Sequence, residues 1–150
     1  RDAACQMDLV ALSGDPRLTV EPMRTSHQCE AYDYGSSFSR GMTVRFGGER
    51  LLYASGTASI DDKGQSVHVG DSPAQNRETF AAMDTLLGHQ GVSLAGAATT
   101  GVLFLKGKED ARAWAELLAR DALPQLPVIA VYADVCRPEL LVELEITAAG

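Results

Sequence analysis

The segments SPAQNRETFAAMDTLL (residues 72–87) and AATTGVLFL (residues 97–105) stand close together in the chain and differ in period. In the first, Phe80, Met83 and Leu87, with Leu86 beside them, recur at helical spacing and form one apolar face. Its start has a visible mechanism. Ser72 can cap the free amides, Pro73 suits the first helical position, and Gln75 can complete a capping box. Gly91 supplies a stop. The second segment is a nearly continuous apolar and β-branched run, the pattern of a strand covered on both faces.

Working outward, Met42 to Phe46 and Arg50 to Ala54 flank Gly47-Gly48, which reads as a hairpin turn between two strands. A polar turn follows at Asp61-Asp62-Lys63-Gly64. Downstream, Glu109 to Arg120 returns to helical period, with Trp114, Leu117 and Leu118 grouped and acids in the first turn. Strands over Val128 to Asp134 and Leu140 to Thr147 close the chain. The order from Gly41 is β-β-α-β-α-β-β, which predicts an α+β sandwich with two helices on one face of the sheet. If the other face is apolar, oligomerisation is the simplest way to cover it. Residues 1–36 read as an N-terminal arm with one or two edge strands, around Leu9 to Leu12 and Leu18 to Val20. Ser13-Gly14-Asp15-Pro16 and Pro22 punctuate it. Residues 37–150 form the main domain.

Composition narrows the function. The 150 residues are 45% hydrophobic and 22% charged, enough apolar matter for one domain with a core. No stretch approaches the ~20 consecutive apolar residues of a membrane span. Thirteen Lys and Arg against 20 Asp and Glu give a net charge of -7, which argues against nucleic acid as a partner. The longest basic feature is the pair Lys106 and Lys108. Cys5, Cys29 and Cys136 are odd in number and unclustered, which fits neither a disulfide framework nor a zinc site and points to a reduced, cytoplasmic setting. There is no charged-then-apolar leader. The chain opens at Arg1 without an initiator Met, as a processed chain or a piece of a longer one would. His27, His68 and His89 share no metal-ligand spacing and read as surface residues, so no metal is expected.

The words LLYASGTASID (51–61), VGDSPAQNRETFAAMDTLL (69–87), TTGVLFLKGKED (99–110) and LLVELEI (140–146) resemble the RidA/YjgF family of small trimeric proteins, in that family's order. The resemblance implies a chorismate-mutase-like fold with a mixed sheet. It also implies a homotrimer whose intersubunit clefts bind small carboxylate-bearing molecules without a cofactor. The family's RidA enzymes hydrolyse enamines and imines. Its Ser-Gly, whose backbone helps hold a substrate carboxylate, matches Ser55-Gly56. The Glu that positions water matches Glu143. The family's Tyr is replaced by Phe38, followed by Ser39, and the Arg that grips the carboxylate is replaced by Val128. A cleft Asn found in some members aligns near Ala115. A valine cannot stand in for a bidentate guanidinium. SGTASI (55–60) and CRPELLVELE (136–145) resemble the C-terminal part of chorismatases, longer proteins with a second, upstream domain. In one branch of these a Cys seven residues before a catalytic Glu takes part in chemistry, the spacing of Cys136 and Glu143.

Alternation along LLVELEI sends Glu143 and Glu145 to one face, ordinarily a solvated one. In a cleft, a partly buried Glu143 would hold its proton longer and act as general acid or base. Cys136 is a chemical candidate whose ordinary reading is a small buried hydrophobe. Arg137 would lower that thiol's pKa only if the two side chains converge. Otherwise it clamps a carboxylate or pairs with Glu139. Arg40 is a second carboxylate ligand, whereas Arg45 and Arg50 read as solvated. Ser55, Gly56 and Thr57 end a strand in a turn whose amides could form an anion nest, or Gly56 merely permits the turn. Tyr53 and Tyr132 read as core or interface. The expectation is therefore a cofactor-free enzyme on a small anionic metabolite, with chorismatase-like hydrolysis or elimination at Glu143. The alternatives are an enamine or imine deaminase and a non-catalytic trimer that binds a metabolite or a protein.

Overall fold

The structure, a computed structural model, describes residues 11–35 and 37–150. Cys5 and the first two residues of the Leu9 to Leu12 run lie outside the described residues. The elements are β1 (Thr19–Pro22), a 3-10 turn (Ala31–Tyr34), β2 (Gly41–Phe46), β3 (Glu49–Ala58) and α1 (Ser72–Gly88). They continue with α2 (Leu94–Ala97), β4 (Ala98–Leu105), α3 (Lys108–Ala119), β5 (Val128–Tyr132) and β6 (Val142–Ala149). The strands form one sheet in the order β1-β2-β3-β6-β4-β5. Its pairings are antiparallel except β4 with β5, so the sheet is mixed as expected. β1, from the N-terminal arm, extends the sheet beyond the hairpin.

One face of the sheet carries the core. Leu52 and Ala54 of β3, Leu103 and Leu105 of β4, and Val142, Leu144 and Ile146 of β6 pack on Phe80, Met83, Leu86 and Leu87 of α1. Leu117 of α3 and Leu94 of α2 complete that layer. Strict alternation along β6 leaves Glu143, Glu145 and Thr147 on the opposite face, which no helix among the described residues covers. β4 departs from expectation here. Leu103 and Leu105 are buried, but Val102 and Phe104 are only half-buried and Thr99 and Thr100 are exposed, because the helices lie on one side only. The edge strand β1 overlaps the Leu18 to Val20 run read as one, and the single-turn α2 is added to the order expected from Gly41.

The start of α1 is capped differently from the sequence reading. Asp71, not Ser72, is the N-cap, and its carboxylate accepts from Ala74 N at 2.9 Å. Ser72 is the first helical residue and its Oγ has no hydrogen-bond partner. Gln75 does not close a capping box. It is fully buried and donates to the carbonyls of His68 (3.2 Å) and Glu139 (3.0 Å) while accepting from Leu141 N (2.8 Å). Those bonds tie α1 to the segment that leads into β6, and so fix where Glu143 begins. The helix ends at Gly88, ahead of Gly91, whose φ of 78° belongs to the turn that follows.

Candidate functional site

A cleft of about 410 Å³ opens where β3, β6 and the loops before them converge. Phe38, Arg40, Gly56, Cys136, Arg137 and Glu143 line it, together with Ser37, Ala58, Ile60 and Leu140. Six of the eight residues picked from the sequence thus meet at one cavity, although they come from four separate stretches of chain.

Glu143 is held by an irregularity in the neighbouring strand. The pairing of β3 with β6 slips between Ala54 and Thr57, so Ser55 and Gly56 form a bulge rather than the end of the strand. The Glu143 carboxylate lies directly on Gly56. A Cβ at that position would stand 2.3 Å from Oε1 and 2.9 Å from Cδ. Gly56 is there for close approach, not to permit a turn. Burial pushes the Glu143 carboxyl above its usual range, and the like charge of Glu145 on the same face pushes it the same way. Among the described residues no cation or hydrogen-bond donor offsets these effects. Glu145 itself is exposed.

Arg40 forms a buried wall of the cleft at 2% exposure. Its Nε and Nη2 donate to the carbonyl of Cys29 at 3.0 and 2.8 Å, and its guanidinium carbon sits 5.4 Å from the centre of the Phe38 ring. Ser55 braces the same residue. Its N–H donates to Arg40 O at 3.0 Å and its hydroxyl to Ser39 O at 2.8 Å. Both donors of Ser55 are therefore spent on the 39–40 backbone, and Thr57 Oγ1 donates to Ser55 O at 3.1 Å. Neither Ser55 nor Thr57 lines the cleft, and of the expected anion nest only Gly56 does.

Cys136 is exposed rather than buried. Partial burial of its sulfur raises the thiol pKa, the nearby Glu143 raises it further, and Arg137 offsets only part. Arg137 turns away toward the 61–66 turn, donating to Gly64 O (2.8 Å) and Ser66 Oγ (3.2 Å). Ser66 donates in turn to Glu139 at 2.7 Å, so Arg137 and Glu139 share Ser66 rather than form a simple surface pair. Val128 opens β5 beside Gly101 of β4, Ala115 is exposed on α3, and neither lines the cleft. Tyr132 is 63% exposed, so it is not a core residue in this chain.

His68 is exposed, as read, and its Nε2 lies 3.9 Å from one oxygen of Glu78 on α1; His27 departs from the surface reading, half-buried with its Nε2 2.7 Å from the other oxygen. Among the described residues no group of three or more His, Cys, Asp or Glu is arranged to hold a metal. Likewise no helix there is long and apolar enough to cross a membrane.

Ala58 and Ile60 belong to the SGTASI word and were within reach of sequence reasoning. The backing of Arg40 by Cys29 was not, because it arises only through a tertiary contact across the N-terminal segment.

No protein-family model matches the chain. Solved structures do. A chorismatase superposes with a TM-score of 0.73 and 22% identity over 87% of this chain, which spans 44% of that longer chain. A protein of unknown function of the Rid family from Yersinia pestis gives 0.69 and 21%, covering 88% of this chain and 100% of its own. A YjgF-family member from Mycobacterium tuberculosis gives 0.63 and 23%, again over 88% and 100%. At these identities the likeness establishes the fold, and the site must be argued from its own chemistry.

Proposed function

From the RidA/YjgF fold of this chain, we propose that the cleft takes a small carboxylate-bearing metabolite and that Glu143 is its general acid and base. The reaction class is a cofactor-free hydrolysis or elimination of the chorismatase kind. One observation carries the reading. Glu143 is a carboxyl pressed against Gly56, raised by burial and by the like charge of Glu145, and placed in the same cavity as a buried guanidinium. A surface carboxylate would have lost its proton well below neutrality. One held protonated longer can deliver that proton to an enol-ether carbon and recover it from an attacking water. Arg40 anchors the carboxylate of the metabolite, and the Phe38 ring beneath its guanidinium shapes that wall. Cys136, whose thiol is held in its neutral form, can donate or relay a proton but is poorly suited to attack as a thiolate.

The active assembly is a homotrimer in this reading, in a cytoplasmic setting. Support comes from the helix-free face of the sheet. There Val20, Met42, Val44, Leu51 and Tyr53 surround apolar cavities of about 330 and 350 Å³, with Phe46 45% exposed beside them. An apolar face that no helix covers among the described residues is one that a second subunit can bury. Glu143 points to this same face, so a partner subunit would lie beside the cleft. Sedimentation at micromolar concentration should give a trimer, and a monomer at every concentration would remove this part.

Deamination of an enamine is disfavoured by Val128, which puts no guanidinium at the family's position. The two enzymatic readings separate in one experiment. The chain is incubated with chorismate and, separately, with 2-aminoacrylate generated in situ. Mass analysis looks for hydroxybenzoate, a dihydrodiol acid and pyruvate in the first, and ammonia release is followed in the second. The proposal expects product from chorismate. Ammonia release above the protein-free rate, without turnover of chorismate, would transfer the cleft to enamine chemistry.

A further inference from the structure

The N-terminal segment runs behind residues that line the cleft, and three successive residues of it grip three different parts of the molecule. His27 meets Glu78 of α1 at 2.7 Å. Gln28, 3% exposed, sends both hydrogens of its amide to main-chain carbonyls, Ala58 O at 2.9 Å and Ile60 O at 3.1 Å. Cys29 offers its carbonyl to Nε and Nη2 of Arg40. Met23 and Ala31, both fully buried, pin the segment on either side. Ala58 and Ile60 are themselves part of the cleft lining. The segment therefore holds the far end of β3 with one residue and the cleft's guanidinium with the next.

We infer that Gln28 is a positioning residue for the cleft. Its amide clamps the Ala58 to Ile60 backbone and thereby fixes the adjacent Cys29 carbonyl that orients Arg40. The chemistry is selective. A primary amide has two donors, and here two buried carbonyls at the exit of one strand take both. A Glu of the same length would face those carbonyls with oxygens, and an Asn is one methylene too short to reach both. Arg40 depends on the result because a guanidinium is a planar fork. A carbonyl that accepts from two of its nitrogens holds the plane of that fork against the cleft wall. Cutting the Gln28 clamp frees the Cys29 carbonyl to shift and loosens its hold on that plane. The inference rests on the proposed reading of Arg40 as a carboxylate anchor, but the orientation of Arg40 can be observed without any ligand.

The test is ¹⁵N NMR of the Arg40 Nε–H in the wild type and in Gln28→Ala, with benzoate as a simple carboxylate probe. Gln28→Asn is a gentler second variant should Gln28→Ala not fold. Leu117→Ala, a core change on α3 away from the cleft, controls for general loss of stability. The wild type should show a slowly exchanging Arg40 Nε–H. Both Gln28 variants should lose that protection and bind benzoate about tenfold more weakly, the scale of one or two lost hydrogen bonds. Leu117→Ala should unfold at lower temperature yet keep the protected resonance. A Gln28 variant that keeps both protection and affinity overturns the inference, as does a Leu117→Ala that loses as much as they do. Lack of benzoate binding by the wild type would count against the carboxylate cleft alone, and the resonance would still decide the role of Gln28.

Discussion

Replacing Gly56 by alanine separates the cleft's chemistry from the stability of the sheet. The new Cβ would stand 2.3 Å from Glu143 Oε1, so the oxygen must retreat by about 1.1 Å to reach ordinary contact at 3.4 Å. The three atoms nearest this Cβ all belong to the flexible side chain of Glu143, which can swing aside. The overpacking cost should therefore fall below the usual ~1–3 kcal/mol. A gain of ~0.4–1 kcal/mol from a stiffer unfolded chain offsets part of it. Net stability should stay within about 1 kcal/mol of wild type. Catalysis should not, because a misplacement of about 1 Å in a reacting group costs ~10²-fold. Gly101→Ala is the contrasting case. There the Cβ meets the main-chain oxygen of Glu145 at 2.4 Å, Ile146 Cδ1 at 2.6 Å and Val128 Cγ1 at 3.1 Å, and a paired strand cannot step aside. That variant should lose ~1–3 kcal/mol or more. Urea unfolding gives both stabilities, turnover of chorismate gives the activity, and a ¹³C titration of the Glu143 carboxyl reports its displacement without any substrate. Wild-type turnover with an unchanged Glu143 titration in Gly56→Ala would refute the reasoning, and so would equal destabilisation by the two alanines.

Three further outcomes follow from the same structure. Because the folded pKa of Glu143 lies above its unfolded value of about 4.3, the folded chain binds the extra proton between those two values. Stability conferred by the protonated group is therefore lost as pH rises through that window. Glu143→Gln should raise Tm relative to wild type at pH 8 and shed that advantage toward pH 4. A difference in Tm independent of pH would contradict the burial of this carboxyl. Asp71→Ala should cost about 1 kcal/mol through loss of the α1 cap, whereas Ser72→Ala should cost far less; the reverse order in urea unfolding would restore Ser72 as the cap. Leu144→Ala, at a fully buried position of β6, should cost ~2–5 kcal/mol by leaving a cavity in the core, read in the same assay.

Most of the fold was legible because period and punctuation are local. Phe80, Met83 and Leu87 announced a helix face, the glycine pair 47–48 announced a hairpin, and alternation in LLVELEI placed Glu143 opposite the core. What failed was decided by neighbours that sequence does not show. Asp71 rather than Ser72 caps the helix, and Gln75 serves the carbonyls of His68 and Glu139 instead of a capping box. The apolar run 97–105 read as doubly buried, since an apolar residue on the open face of a sheet and one facing the core look alike in a sequence. The site was legible as a set of residue types and less so as a set of roles. Glu143 and Cys136 do share a cavity, but Ser55 spends its donors on bracing Arg40. The residues behind that arginine, His27 to Cys29, sit in a segment with no motif at all.

The most direct measurement is the rate of chorismate turnover by wild type and Glu143→Gln, compared across pH 5 to 8 with both proteins shown to be folded. A glutamine keeps the shape of the side chain and removes the exchangeable proton, so the account predicts a loss of ~10²–10⁴-fold, the usual share of general acid–base catalysis. A Glu143→Gln protein that turns over chorismate at the wild-type rate, with the wild-type pH profile, would contradict it.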